Sequence, residues 1–333
     1  MKNLKLDIDS LKLLLRVDKA STSKFSLRTR PTSEKLVDVV FKNIVVAMAS
    51  MVAIVLFSIF AVVYYESTES ISRYGLRFLF SSAWNPVTDE YGAFTAIYGT
   101  LFTSIASLLI AIPLGVGTAI FITENIIPVY IRNVIGIMVE LLAAIPSVVL
   151  GLWAVFIMEP FIRPFLNIIY ELFGFIPFFG TQPLGAGMMP AILILVVMIL
   201  PIITSISKDS LNQVPSKLRQ AAYGIGASRW TTIFKVIIPA AISGITGGVL
   251  LALGRAMGET MAVTMIIGNS NNFSWSIFAP SYTISSMLAN QFGEADGSQV
   301  SSLMYAALIL MILTLLVNVF AQWIVKRLSL KYQ

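Results

Sequence analysis

The sequence predicts an all-α integral membrane protein that crosses the bilayer six times and keeps both termini in the cytoplasm. Three observations predict it. Hydrophobic residues make up 57% of the 333-residue chain and charged residues 12%, whereas soluble domains carry about 45–50% apolar and about 25% charged residues. The apolar residues gather in six runs, each close to the about 20 residues that a helix needs to cross a bilayer core. Lys and Arg fall in alternate connections between those runs, the distribution that sets membrane topology.

The six runs are placed at about 44–65, 97–122, 134–158, 188–206, 236–267 and 303–324. The first starts near Ile44, too far from the N-terminus and too long for a cleavable signal, and reads as an uncleaved span. Ten Lys or Arg precede it in segment 1–43, and nineteen of the 23 lie on the side of that segment, in 1–43, the 123–133 and 207–235 connections, and the tail. Arg73, Arg77 and Arg163 lie on the other side, and Arg255 lies inside a span. The cytoplasm therefore holds the basic segment 1–43, the loop 207–235 and the tail 328–333, with the membrane domain at 44–327. Segments 66–96, 159–187 and 268–302 face outward. Residues 17–35, rich in Ser, Thr and charge, read as flexible, a tail that sets orientation. The net charge of +6 follows from this topology rather than from binding nucleic acid.

Segment 159–187 is apolar and aromatic but holds Pro160, Pro164, Pro177 and Pro183. Proline removes a helical hydrogen bond and crowds the preceding turn, so a short interfacial helix near Phe161–Phe173 followed by a folded loop is expected. Pro146 is expected to kink the third span.

The chain has no Cys and no His. Disulfides, thiolate nucleophiles, zinc sites of the usual ligands and imidazole acid–base chemistry are excluded. No GxxxxGK[ST] phosphate loop occurs, so this chain is expected to bind no cofactor or metal. An intramembrane enzyme is disfavoured on the same grounds.

The loop 207–235 carries the most information. Pro215 suits a helix start. Leu218, Ala221, Ala222 and Ile225 repeat at helical spacing, Gly224 and Gly226 break the helix, and Ser228 caps a second one. The expected shape is helix, glycine turn, helix, with Pro239 just inside the next span. Gln220-Ala221-Ala222, Gly226, Val236 and Ile238-Pro239 stand at the spacing of the EAA loop, and this stretch resembles the EAA-loop permeases of ABC importers. Gln220 replaces the usual Glu, and Val236 and Ile238 are mild aliphatic exchanges.

In the fifth span, Arg255 and Glu259 stand four apart and are expected on one helix face. Charges inside a bilayer are costly and mark a pathway or an ion pair. Gly254 and Gly258, with Gly244 and Gly248 earlier, form small-xxx-small faces for close helix packing. The forked guanidinium of Arg255 suits the oxygens of an oxyanion. Glu140, in the third run, is a further candidate buried charge.

The stretch 254–269, GRAMGETMAVTMIIGN, with Glu140-Leu141-Leu142-Ala143-Ala144-Ile145-Pro146-Ser147, AIYGTLFTS at 96–104 and AYGIG at 222–226, is similar to PstC-type phosphate permeases over roughly 70–330. That resemblance implies a type I ABC importer permease with the MetI-like bundle, sited in the cytoplasmic (inner) membrane. It also implies a sister permease as partner, and a homodimeric cytoplasmic ATPase that carries ATP and Mg and receives the Gln220–Gly226 loop. A phosphate-binding protein would meet the outer loops. Arg255 and Glu259, with Glu140 as a further candidate, would attend phosphate passage. The residues alone leave other solutes open, such as sulfate or molybdate, and a stand-alone secondary transporter or channel is the reading from another class.

Overall fold

The computed structural model describes residues 32–124 and 126–329. The basic N-terminal segment through Pro31 and the last four residues of the tail lie outside the described residues. Two compact units share the chain, residues 1–59 and 60–333. The described part of the first, 32–59, is the leading stretch of helix α1, Thr32–Tyr74, and its apolar side chains from Leu36 to Ile59 are exposed.

Six helical stretches among the described residues are long and apolar enough to cross a membrane: Leu36–Leu79, Phe94–Thr123, Ser147–Phe173, Met188–Asn212, Arg229–Gly258 and Gly297–Ile324. The third differs from the expected 134–158. A separate helix, α3 (Val129–Ala144), comes first and stops at Ile145, whose ψ of 127° is the extended conformation that a following proline imposes. Pro146 thus breaks the helix rather than kinking it. The chain resumes as α4 (Ser147–Trp153), a π turn over Ala154–Met158, and α5 (Glu159–Phe173), which run on as one rod.

The break expected at Pro160 is absent, and the π turn explains why. A proline ring crowds the carbonyl four residues back. In the π turn Glu159 N–H donates to Ala154 O, five residues back, so the carbonyl row opens just ahead of Pro160. The fifth span repeats the device. Its π turn, Ile233–Ile237, lets Ile238 N–H donate to Ile233 O and admits Pro239. The chain there runs without interruption from α8 (Arg229–Thr232) through the π turn into α9 (Ile238–Gly258).

Within residues 60–333 the centre is α6 (Met188–Asn212), packed between α2 (Phe94–Thr123) and α9. Ile199, Ile203, Ala111, Ala252 and Met257 are buried together there. Small residues bring the axes close. A Cβ on Gly115 would lie 2.8 Å from Ile203 Cγ2, and one on Gly248 would lie 3.0 Å from Ile206 Cβ. Outside the centre, a hairpin pairs β1 (Trp84–Asn85) with β2 (Glu90–Tyr91). Tyr91 is buried against Trp84 and Tyr74, and that burial pushes its phenol pKa up. The end of α1 meets α12 (Gly297–Ser329) through serines, with Ser70 Oγ 2.9 Å from Ser302 Oγ.

Segment 159–187 folds with segment 268–281. Met188 N–H donates to Ala279 O and Met189 N–H to Ile277 O, at 3.1 and 2.8 Å, so loop carbonyls satisfy the free donors that open α6. In the same cap Phe178 meets Phe179 edge to face, and Phe179 packs tilted against Phe278.

Candidate functional site

Helix α9 stops at Gly258. Glu259 is extended, with ψ of 124°, and a short helix, α10 (Met261–Ile266), begins two residues later. The fifth run was read to residue 267; it ends here because Gly258 weakens the helix and hydroxyls take over the freed carbonyls. Thr260 Oγ1 donates to Gly258 O at 3.1 Å, and Ser285 of α11 (Ile284–Gln291) donates to Met257 O at 3.2 Å. Inside a membrane such replacement partners are what permit a broken helix.

Arg255 and Glu259 are therefore not on one helix face, as their spacing had implied. Arg255 lies in the last turn of α9, exposed, and makes no hydrogen bond or ion pair among the described residues. The partial negative charge of the helix C-terminus favours a cation there. Glu259 is half-buried, its Oε1 accepting Ala262 N–H at 3.4 Å. The break separates a free guanidinium from a carboxylate committed to the next helix.

The close packing expected at Gly254 and Gly258 is also absent: a Cβ at either would meet nothing within 4 Å. Both border an open hollow with Thr314 and Asn318 of α12. The earlier pair does pack, Gly244 on Ser210 and Gly248 on Ile206.

The loop 207–235 has the expected shape. Helix α7 (Ser216–Gly224) follows Pro215, Gly226 turns the chain at φ of +83°, and Ser228 Oγ accepts Thr231 N–H at 3.2 Å to open α8. Gln220, Ala221 and Gly224 are exposed, and Ala222 is buried. Apolar side chains around them point outward: Ile225 is 88% exposed, and Trp230 stacks on Phe234 with both exposed. Exposed apolar clusters of this kind mark a contact surface. Beneath them, Arg219 donates to Glu124 Oε1 at 2.9 Å, to Leu211 O at 3.0 Å and to Val214 O at 3.3 Å.

Glu140 is not a buried charge. The break at Pro146 puts it on α3, outside the third spanning rod, with its side chain 71% exposed and Lys208 Nζ 3.6 Å away. An exposed pair of this kind is worth about 0–1 kcal/mol. Among the described residues the buried acids are Glu124 and Glu159, each held by an arginine and neither anticipated. One signal was available for Glu159: Arg163 stands four residues on, helical spacing for an ion pair. No group of three or more His, Cys, Asp or Glu residues is arranged to hold a metal among the described residues.

Residues 111–330 match the family described as "Binding-protein-dependent transport system inner membrane component". The chain is 44% identical over 300 residues to a phosphate transport system permease protein PstC of Mesorhizobium japonicum, covering 88% of this chain and 91% of that one. It is 38% identical to its counterpart in Pasteurella multocida, over 92% of this chain and 98% of the relative. It is 34% identical to a probable phosphate transport system permease protein PstC of Methanocaldococcus jannaschii, over 86% and 93%. Among solved structures, a bacterial alginate ABC transporter in complex with a pentasaccharide-bound periplasmic protein superposes with a TM-score of 0.60 at 15% identity, over 90% of this chain and 98% of that chain. A similarity of that kind concerns the fold alone.

Proposed function

The chain belongs to the binding-protein-dependent transport system inner membrane components, and within them to the PstC-type phosphate permeases, and from that premise we propose how it works. It is the membrane permease subunit of a phosphate ABC importer, multi-pass in the cytoplasmic membrane. The observation that carries this is the 44% identity to a phosphate permease over 88% of the chain.

In the proposed arrangement both termini and the loop 207–235 face the cytoplasm. The chain forms half of a translocation pathway, and a sister permease forms the other half. A homodimeric ATPase, which holds the ATP and Mg, docks on the surface of Gln220, Ala221, Tyr223, Ile225 and Trp230. A phosphate-loaded binding protein docks on the outer loops. ATP binding closes the ATPase, the loop relays that motion, and the bundle opens outward to receive phosphate.

Arg255 is the proposed contact for the anion. A lone charge in a bilayer costs about 2.5–3.5 kcal/mol on insertion scales, and Arg255 has no partner among the described residues to offset that. A water-filled pathway visited by an oxyanion offsets it, and the planar fork matches phosphate oxygens. Glu259 holds the break in α9 open by bonding to the start of α10, and Glu140 belongs to the cytoplasmic mouth. One unpaired guanidinium holds phosphate weakly, as release requires.

The test is ATP-dependent uptake of labelled phosphate into proteoliposomes containing this chain, its sister permease, the ATPase and the binding protein. Competition by unlabelled phosphate alone is expected. Competition by sulfate or molybdate would discard phosphate as the substrate, and uptake by this chain without ATP would overturn the importer reading.

A further inference from the structure

Helix α7 is a nine-residue rod held at both ends by hinge-like turns. Pro215, extended at ψ of 132°, precedes it, and Gly226, at φ of +83°, follows it. Only one of its residues, Ala222, is buried. A rod with so little buried surface depends on its few side-chain tethers to move with the bundle. Among the described residues, Arg219 is the one residue of α7 whose side chain hydrogen-bonds to another element.

That side chain reaches two spans at once. It meets Glu124, in the residue that ends α2, and the carbonyls of Leu211 and Val214 at the end of α6. Glu124 is 7% exposed, and Arg219 is its ion-pair partner among the described residues. Charge-assisted bonds of this kind are short and directional, and the planar fork reaches its acceptors from two nitrogens held apart in a fixed geometry, where a lysine offers a single point charge. The α2 and α6 helices are the pair that forms the packed centre of the bundle with α9.

We infer that Arg219 is the positioning residue through which motion of α7 is delivered to the transmembrane bundle, by clamping α7 to the cytoplasmic ends of α2 and α6 through Glu124 and the Leu211 and Val214 carbonyls. The inference rests on the reading that α7 docks on the ATPase. Arg219 itself faces inward, so it shapes what the bundle does with the motion rather than the docking surface.

The experiment uses the assembled importer in proteoliposomes and reads phosphate imported per ATP hydrolysed. The double variant Arg219→Met with Glu124→Leu removes both charges together, so neither is left buried and alone, and buried pairs replaced this way commonly keep their fold. Import per ATP is expected to fall about tenfold or more, the scale of losing a charged hydrogen bond, while the ATPase still co-purifies and hydrolyses ATP. Arg219→Lys, which keeps the charge and loses the fork, is expected to fall in between. Unchanged import per ATP in either variant would overturn the inference. So would loss of the ATPase from the purified double variant, because Arg219 would then serve assembly rather than transmission. The docking reading is checked separately. The chain has no cysteine, so Gln220→Cys gives a unique handle for crosslinking to a cysteine on the ATPase, and absence of that crosslink in an otherwise coupled importer would remove the docking reading itself.

Discussion

Gly244 of α9 lies directly on the side chain of Ser210 of α6, so close that a Cβ at position 244 would overlap the serine hydroxyl. Ten residues on, Gly254 faces open space on the same helix. Two glycines in one helix, in the same small-xxx-small spacing, thus do different work. Forcing a methyl into a packed contact costs about 1–3 kcal/mol. Gly244→Ala is expected to lower the melting temperature and yield of the purified chain, and Gly254→Ala to leave both unchanged. Thermal unfolding followed by intrinsic tryptophan fluorescence checks this, and equal melting temperatures for the two variants would contradict the packing described.

Arg255 should separate folding from transport. Its contribution to α9 is that of a cation in the last turn, about 0.3–1 kcal/mol when exposed, which is small beside the stability of the bundle. Its contact with an anion is a charged hydrogen bond, worth about 1.5–3 kcal/mol, or at least about tenfold in rate. Arg255→Ala is therefore expected to assemble normally and lose phosphate uptake, and Arg255→Lys to retain a minor part of it. Normal uptake by Arg255→Ala would remove the residue from the pathway.

These two cases show what the sequence disclosed and what it hid. The six apolar runs were legible because a bilayer demands length and a low charge count from every span, and the loop from Pro215 to Ser228 was legible because its turn chemistry is local. The third span was misplaced because the π turn at Ala154–Met158 absorbs Pro160, and a turn that widens by one residue leaves no mark in composition. The end of α9 was missed because the residues after Glu259 stay apolar, while the hydroxyl that holds Met257 O comes from Ser285, 28 positions away. The clamp on α7 was out of reach for the same reason, as Glu124 and Arg219 are 95 residues apart. Spacing reports neighbours on one helix; it carries nothing about partners on two.

Gly226 offers a test of the loop. Its φ of +83° is a conformation in which a side chain is strained, at about 1–2 kcal/mol for a single residue and more for a β-branched one. Gly226→Val is expected to redirect the chain between α7 and α8 and to reduce phosphate import per ATP hydrolysed. Gly224→Ala, at a position with ordinary backbone angles and nothing within 4 Å of an added Cβ, is expected to behave as wild type. Measuring both ratios in the same proteoliposome preparation checks the assignment, and full coupling in Gly226→Val would count against the turn as a relay.

Glu159 and Arg163 provide the last test, of stability within the third span. The arginine grips the carboxylate with two bonds, Nε to Oε1 at 2.6 Å and Nη2 to Oε2 at 2.7 Å, and Glu159 is 5% exposed. Gly185, at φ of +127°, lies over the pair: a Cβ there would come 3.1 Å from Arg163 Nη2. Arg163 is half-exposed but Glu159 is buried, so removing the arginine strands a buried charge, whereas removing both charges together is often neutral. Arg163→Met is thus expected to lower the melting temperature and the yield of assembled complex. Adding Glu159→Gln to it leaves a neutral amide in place of the stranded carboxylate and is expected to recover most of the loss. A double variant that melts no higher than Arg163→Met would show that the arginine acts through packing against the 180–187 loop instead of through the charge it neutralises.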